Sequence, residues 1–139
     1  MKTIYAYTRQ QAISDGVLRR LEDFLRHELP EDGTIIPRLD TLRSLDGKFP
    51  LGELVITPAA AHVLHPTDVL TCLMRHRLGD WGHLDEEDRA SNECALKNDE
   101  RLFSAYHVPD KNDDRFEIRF YVITERNREA TTVLLPEDY

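Results

Sequence analysis

Apolar positions repeat at helical spacing along much of the first hundred residues, and strand-like patterns dominate the last forty. Val17, Leu18, Leu21, Leu25 and Leu29 share one helical face and Arg19, Arg20, Glu22, Asp23 and Arg26 the other, which predicts an amphipathic helix with Ser14 as its N-cap. That apolar face can pack internally or pair two copies in a homodimer. Pro30-Glu31-Asp32-Gly33 ends the helix as a turn, and Leu39, Leu42 and Leu45 predict a short helical piece closed by Asp46-Gly47. Residues 2–8 and 51–56 read as short strands. Thr57-Pro58 supplies an N-cap and first helical position for residues 59–64, and Pro66 opens a helix through Val69, Leu70, Leu73 and Met74 that Gly79 stops. Asp85 with Asp88 resembles a capping box for a helix reaching Lys97. Its apolar face, Ala90 and Cys94 with Ala95 or Leu96, is thin, which places it on the surface.

Beyond residue 100 the pattern changes. Leu102, Phe103, Ala105, Tyr106 and Val108 precede a polar turn over 109–114. Phe116, Ile118, Phe120 and Val122 then alternate with Glu117, Arg119 and Tyr121, as a half-buried antiparallel strand does. After a charged connection over 125–129, Thr131-Thr132-Val133-Leu134-Leu135 forms a third strand before Pro136. The predicted class is α+β: a helical N-terminal and central part packed on a C-terminal three-stranded antiparallel meander, with the 2–8 strand available to extend it. A length of 139 residues without repeat or linker predicts one domain.

Charge narrows the function classes. With 18 Lys+Arg against 26 Asp+Glu the net charge is −8, the wrong sign for binding nucleic acid or anionic lipid through a basic face and the right sign for a basic protein partner. Residues 71–139 hold 16 of the carboxylates and 10 of the Lys+Arg, so that half carries −6 of the −8. No apolar run reaches the ~18 residues of a membrane span and the N-terminus has no leader-like stretch, so the expectation is a cytoplasmic protein with Cys72 and Cys94 as buried thiols.

Candidate chemistry is sparse. His62 and His65 are three apart and Cys72 and His76 four apart, yet Pro66 breaks the helix between the pairs and the converging set zinc needs is missing, so no metal is expected. No nucleophile elbow or Gly-rich phosphate loop occurs, and no cofactor is called for. Arg115, Arg119, Arg126 and Arg128, with Tyr121, would line a basic strip, but Glu117, Glu125 and Glu129 interleave with them. The segment 79–88, Gly-Asp-Trp-Gly-His-Leu-Asp-Glu-Glu-Asp, stands out: it sets the only tryptophan between glycines and holds five carboxylates with no Lys or Arg. Two readings fit it. Either an acidic loop docks on a basic partner with Trp81 as aromatic anchor, or Trp81 plugs the core while the carboxylates complement the start of the next helix.

The block Gly79-Asp80-Trp81-Gly82 with Leu84-Asp85-Glu86-Glu87-Asp88-Arg89-Ala90, then Asn92, Ala95-Leu96, Arg101-Leu102, Ser104-Ala105-Tyr106, Val122-Ile123-Thr124-Glu125 and the closing Thr131-Thr132-Val133-Leu134-Leu135-Pro136-Glu137-Asp138-Tyr139, resembles a family of small bacterial plasmid-related proteins. The resemblance covers residues 54–139, leaves the first fifty as a variable part, and departs from the family at His83 and in the turn 110–114. It implies a plasmid, phage or integrated element as the genomic setting and no established reaction. In that setting the expected function is non-enzymatic: inhibition of a host defence complex, CRISPR or restriction, by protein–protein contact through Asp80, Trp81, Asp85, Glu86, Glu87 and Asp88. The alternatives are a plasmid maintenance or transfer accessory protein, and a small enzyme using a carboxylate with His83 or His76.

Overall fold

Backbone donors and acceptors decide where the elements begin and end. The structure, a computed structural model, describes residues 9–43 and 47–139. The predicted 2–8 strand, with Leu45 and Asp46 of the predicted short helix, lies outside the described residues. In chain order the elements are α1 (Arg9–Ser14), β1 (Arg19–Arg20), α2 (Leu21–Glu28), α3 (Ile35–Arg43), β2 (Glu53–Ile56), α4 (Pro58–Val63), α5 (Pro66–Arg77), α6 (Glu86–Lys97), β3 (Leu102–Pro109), β4 (Glu117–Thr124) and β5 (Ala130–Leu134). Thr57 caps α4 as predicted, its hydroxyl accepting the Ala60 N–H at 3.2 Å, and Pro66 occupies the first turn of α5.

The class is α+β, and the sheet is larger than the predicted meander. Its strands run in the order β1-β2-β5-β4-β3. The antiparallel unit β3-β4-β5 is present and is continued by β2, parallel to β5, and then by β1, antiparallel to β2. β5 therefore lies in the middle, and all its residues, Ala130, Thr131, Thr132, Val133 and Leu134, are buried. A strand covered on both faces has no reason to alternate, which is why its sequence reads as a continuous run. α2 to α5 cover one face with Leu21, Phe24, Leu25, Leu39, Leu64 and Leu73 against Leu54, Ile56, Phe120 and Val133. The other face carries a smaller cluster of Ala12, Leu18, Val55, Ile123 and Leu134.

The predicted helix from Ser14 to Leu29 is broken. Ser14 ends α1, the Val17 and Leu18 N–H groups turn back to the Ala12 carbonyl at 2.8 and 3.0 Å, and Arg19-Arg20 pair with Val55-Ile56 at the sheet edge. Helical spacing from Val17 to Leu21 was misleading because Leu18 and Leu21 serve cores on opposite faces of the sheet. The apolar face of α2 packs internally, with Leu21, Phe24 and Leu25 buried.

α6 is rotated from the predicted orientation. Its buried residues are Asn92 and Ala95, while Ala90 and Cys94 are exposed. The cause is polar: the Asn92 amide donates to the Phe103 carbonyl at 2.6 Å and accepts its N–H at 3.1 Å, standing in for a neighbouring strand at that point on the outer edge of β3. Phe116 precedes β4 and is 61% exposed, because the turn before it closes through the Asp110 N–H to the Phe116 carbonyl at 2.9 Å. Among the described residues no helix is long and apolar enough to cross a membrane.

Candidate functional site

The segment 79–88 divides at Leu84. Gly79, with φ +82°, ends α5 in the left-handed region that glycine adopts without penalty. Asp80 is then held from several sides. Arg75 donates to both of its carboxylate oxygens at 2.7 and 3.3 Å, the Gly82 N–H adds a bond at 3.2 Å, and the Tyr106 hydroxyl donates to its carbonyl at 2.7 Å. The Arg75 guanidinium holds the Asp80 carboxyl below the usual carboxylate range. Next along, Gly82 runs beside β3: the Ala105 N–H donates to the Trp81 carbonyl at 3.2 Å, and the His83 N–H donates to the Ala105 carbonyl at 2.7 Å. A Cβ on Gly82 would lie 2.1 Å from the Ala105 carbonyl oxygen. Only glycine fits.

Trp81 is a core residue, 4% exposed, which corrects its assignment as an aromatic anchor for a partner. Its ring stacks on Phe49 with centroids 6.1 Å apart, meets His76 edge-on at 5.6 Å, and satisfies its one polar atom by donating from Nε1 to Glu93 at 3.0 Å. The apolar body of the indole belongs over the buried imidazole, and the flanking glycines allow the chain to deliver it there.

After Leu84 the same residue type behaves differently. Asp85 caps α6, accepting the Asp88 N–H at 2.8 Å, and Asp88 makes no return bond among the described residues. Glu86, Glu87 and Asp88 form the first turn of α6, are exposed, and enter no ion pair among the described residues. The adjacent cation does not neutralise them: Arg89 points back and donates to the Leu84 and Gly82 carbonyls, both at 3.1 Å. The positive end of the helix dipole stabilises this charge where it stands.

Beneath Trp81 lies a polar chain in which His76 is the one member that the sequence marks as a candidate for chemistry. His76 is fully buried, with Nδ1 2.6 Å from the Ser104 hydroxyl and Nε2 2.8 Å from that of Thr124. Thr124 is 2.7 Å from the Thr131 hydroxyl, which donates to the Leu51 carbonyl at 2.7 Å. That last donation orients the rest: Thr124 donates to Thr131, His76 donates from Nε2, and its Nδ1 accepts from Ser104. Burial, and then the charge of Arg128, push the His76 imidazole down to about 3, so it is neutral at physiological pH. Sealed from solvent, it is not an acid or base for an external substrate. Ser104, Thr124 and Thr131 are scattered in sequence and converge only because β3, β4 and β5 pair.

The remaining candidates separate. His83 is exposed and lies flat on His107, centroids 4.4 Å apart and 8° from parallel. His62 and His65 are exposed while Cys72 and His76 are buried, so the two pairs do not converge. Burial pushes the Cys72 thiol up to about 11, which leaves it unreactive. The arginine strip is discontinuous. Arg128 is buried, donating to the Glu100 and Ala95 carbonyls with its guanidinium over Phe49, and Arg115 is paired with Asp113 at 2.7 Å.

Comparison of the chain with protein-family models, curated proteins and solved structures finds no match.

Proposed function

We propose that the chain is a non-enzymatic binding protein whose contact surface is the first turn of α6, with Glu86, Glu87 and Asp88 in contact and Asp80, Trp81 and Asp85 holding that turn in place. The observation that carries this is the pairing pattern: Asp80 is neutralised by Arg75, whereas the three exposed carboxylates enter no ion pair among the described residues and their neighbour Arg89 turns away. Unpaired charge of one sign on a rigid helix end favours a basic partner by steering its encounter and by selecting its sign. The resemblance to plasmid-related proteins supplies the setting. In it the partner of matching charge is a host defence complex, CRISPR or restriction, whose nucleic-acid cleft presents lysines and arginines.

The test is protection. Cells carrying an active interference or restriction system are challenged with phage in the presence of the chain or of its E86Q/E87Q/D88N variant. Protection of the phage by the parent, read as a rise in plaques, and at least a tenfold loss of that protection with the folded variant is the expected outcome. Equal protection by both removes α6 as the contact. Capture of the chain's partner only when the plasmid is present favours the accessory-protein alternative, which uses the same surface on a plasmid-encoded protein.

A further inference from the structure

A second charged site, of opposite sign, lies where β1, the end of α2, α4 and the turn after β3 meet. There Arg19, His27, His62, Lys111 and Asn112 line a cleft of about 420 Å³ together with Glu28. The Lys111 ammonium is fixed by Glu28 at 2.7 Å and by the Ala61 carbonyl at 2.8 Å, which uses two of its three donors and occupies the one carboxylate that lines the cleft among the described residues. Asn112 is fixed by donating to the His62 carbonyl at 3.0 Å. Among the described residues no hydrogen bond or ion pair engages the side chains of Arg19, His27 or His62. The cleft is therefore rich in donors, and its one anionic acceptor is already satisfied.

We infer that this cleft binds a phosphate monoester. Donors from four separate elements surround it, an arrangement that suits a tetrahedral oxyanion better than a planar carboxylate, and the guanidinium fork of Arg19 matches two phosphate oxygens. The volume lies within the roughly 300–1,000 Å³ of small-molecule sites and leaves room for the group attached to the phosphate. On a chain of net charge −8, solubility does not explain such a concentration of donors.

Isothermal titration of the full chain with adenosine monophosphate, inorganic phosphate and adenosine tests the site. The expected result is saturable binding of the monophosphate, competition by inorganic phosphate, no binding of adenosine, and an affinity loss of about tenfold in Arg19→Gln, the size expected for one charged hydrogen-bond donor. Because Arg19 lies in a strand, the H27Q/H62Q variant, altered only at exposed side chains, serves as a second probe and should also weaken binding. Absence of saturable binding by both phosphate probes overturns the site, as does equal affinity in the parent and both variants. Binding of adenosine alone overturns it too, since it would show a site for the base.

Discussion

On either side of Leu84 the segment 79–88 carries carboxylates, one before it and four after, and uses them in opposite ways. Before it, Asp80 is clamped by Arg75, by the Gly82 N–H and through its carbonyl by Tyr106, and Trp81 fills the core. After it, Glu86, Glu87 and Asp88 enter no ion pair among the described residues. The difference lies in what each stretch is attached to. The first part is sewn to β3 on one side and to α5 on the other, whereas the second begins a helix whose far side touches the sheet mainly through Asn92 and Ala95. Charge density in a sequence therefore locates acid without saying which carboxylates a partner can reach.

That contrast can be broken from its structural side first. Trp81→Ala removes an indole packed on Phe49 and His76, and a loss of about 3–5 kcal/mol in urea or thermal unfolding is expected. A loss under about 1 kcal/mol would mean that the indole does not hold the loop. Gly82→Ala forces a Cβ against the Ala105 carbonyl at positive φ, and a destabilisation of about 1–3 kcal/mol should appear in the same measurement.

The pH dependence of unfolding tests the floor under Trp81. His76 is depressed in the folded state to about 3 from an ordinary 6.5, so the unfolded state binds the extra proton between those values. Stability is then complete above pH 6.5 and falls with acid, by about 2 kcal/mol between pH 7 and pH 5. In His76→Gln this part of the slope should vanish. Smaller again is the clamp itself: Asp80→Asn breaks a half-exposed ion pair, worth no more than about 1 kcal/mol. At the other end of the scale, E86Q/E87Q/D88N should change stability by less than about 1 kcal/mol while abolishing capture of the partner. If instead Asp80→Asn abolished capture and the triple variant did not, the assignment of the two halves would be reversed.

Local signals in the sequence were reliable where local forces rule. Thr57-Pro58, Pro66, Gly79 and Asp85 mark helix ends that the structure keeps, because a cap or a missing N–H acts within one turn. The strands from Leu102 onward were legible from their alternation and turn. Long-range pairing was not. Nothing near Arg19 announces that it joins an edge strand, and nothing in Glu53–Ile56 announces a parallel partner seventy-odd residues away. At the candidate site, the unusual composition of 79–88 was visible, but the inward turn of Trp81 depends on Phe49 and on a histidine whose own partners, Ser104 and Thr124, come from β3 and β4. The cationic cleft was invisible for the same reason, since Arg19, His27, His62 and Lys111 are remote in sequence and meet only in the fold.

The placement of β5 has a consequence for how the molecule comes into being. The strand at the centre of the sheet is the last of the strands to be synthesised, and both of its neighbours, β2 and β4, wait for it. During translation the β2 edge and the helices beside it remain without their central partner until residue 134 has emerged. Completion of the sheet thus waits for a long loop closure, and a ribosome stalled before β5 would hold an unpaired, apolar edge open to chaperones and to other nascent chains.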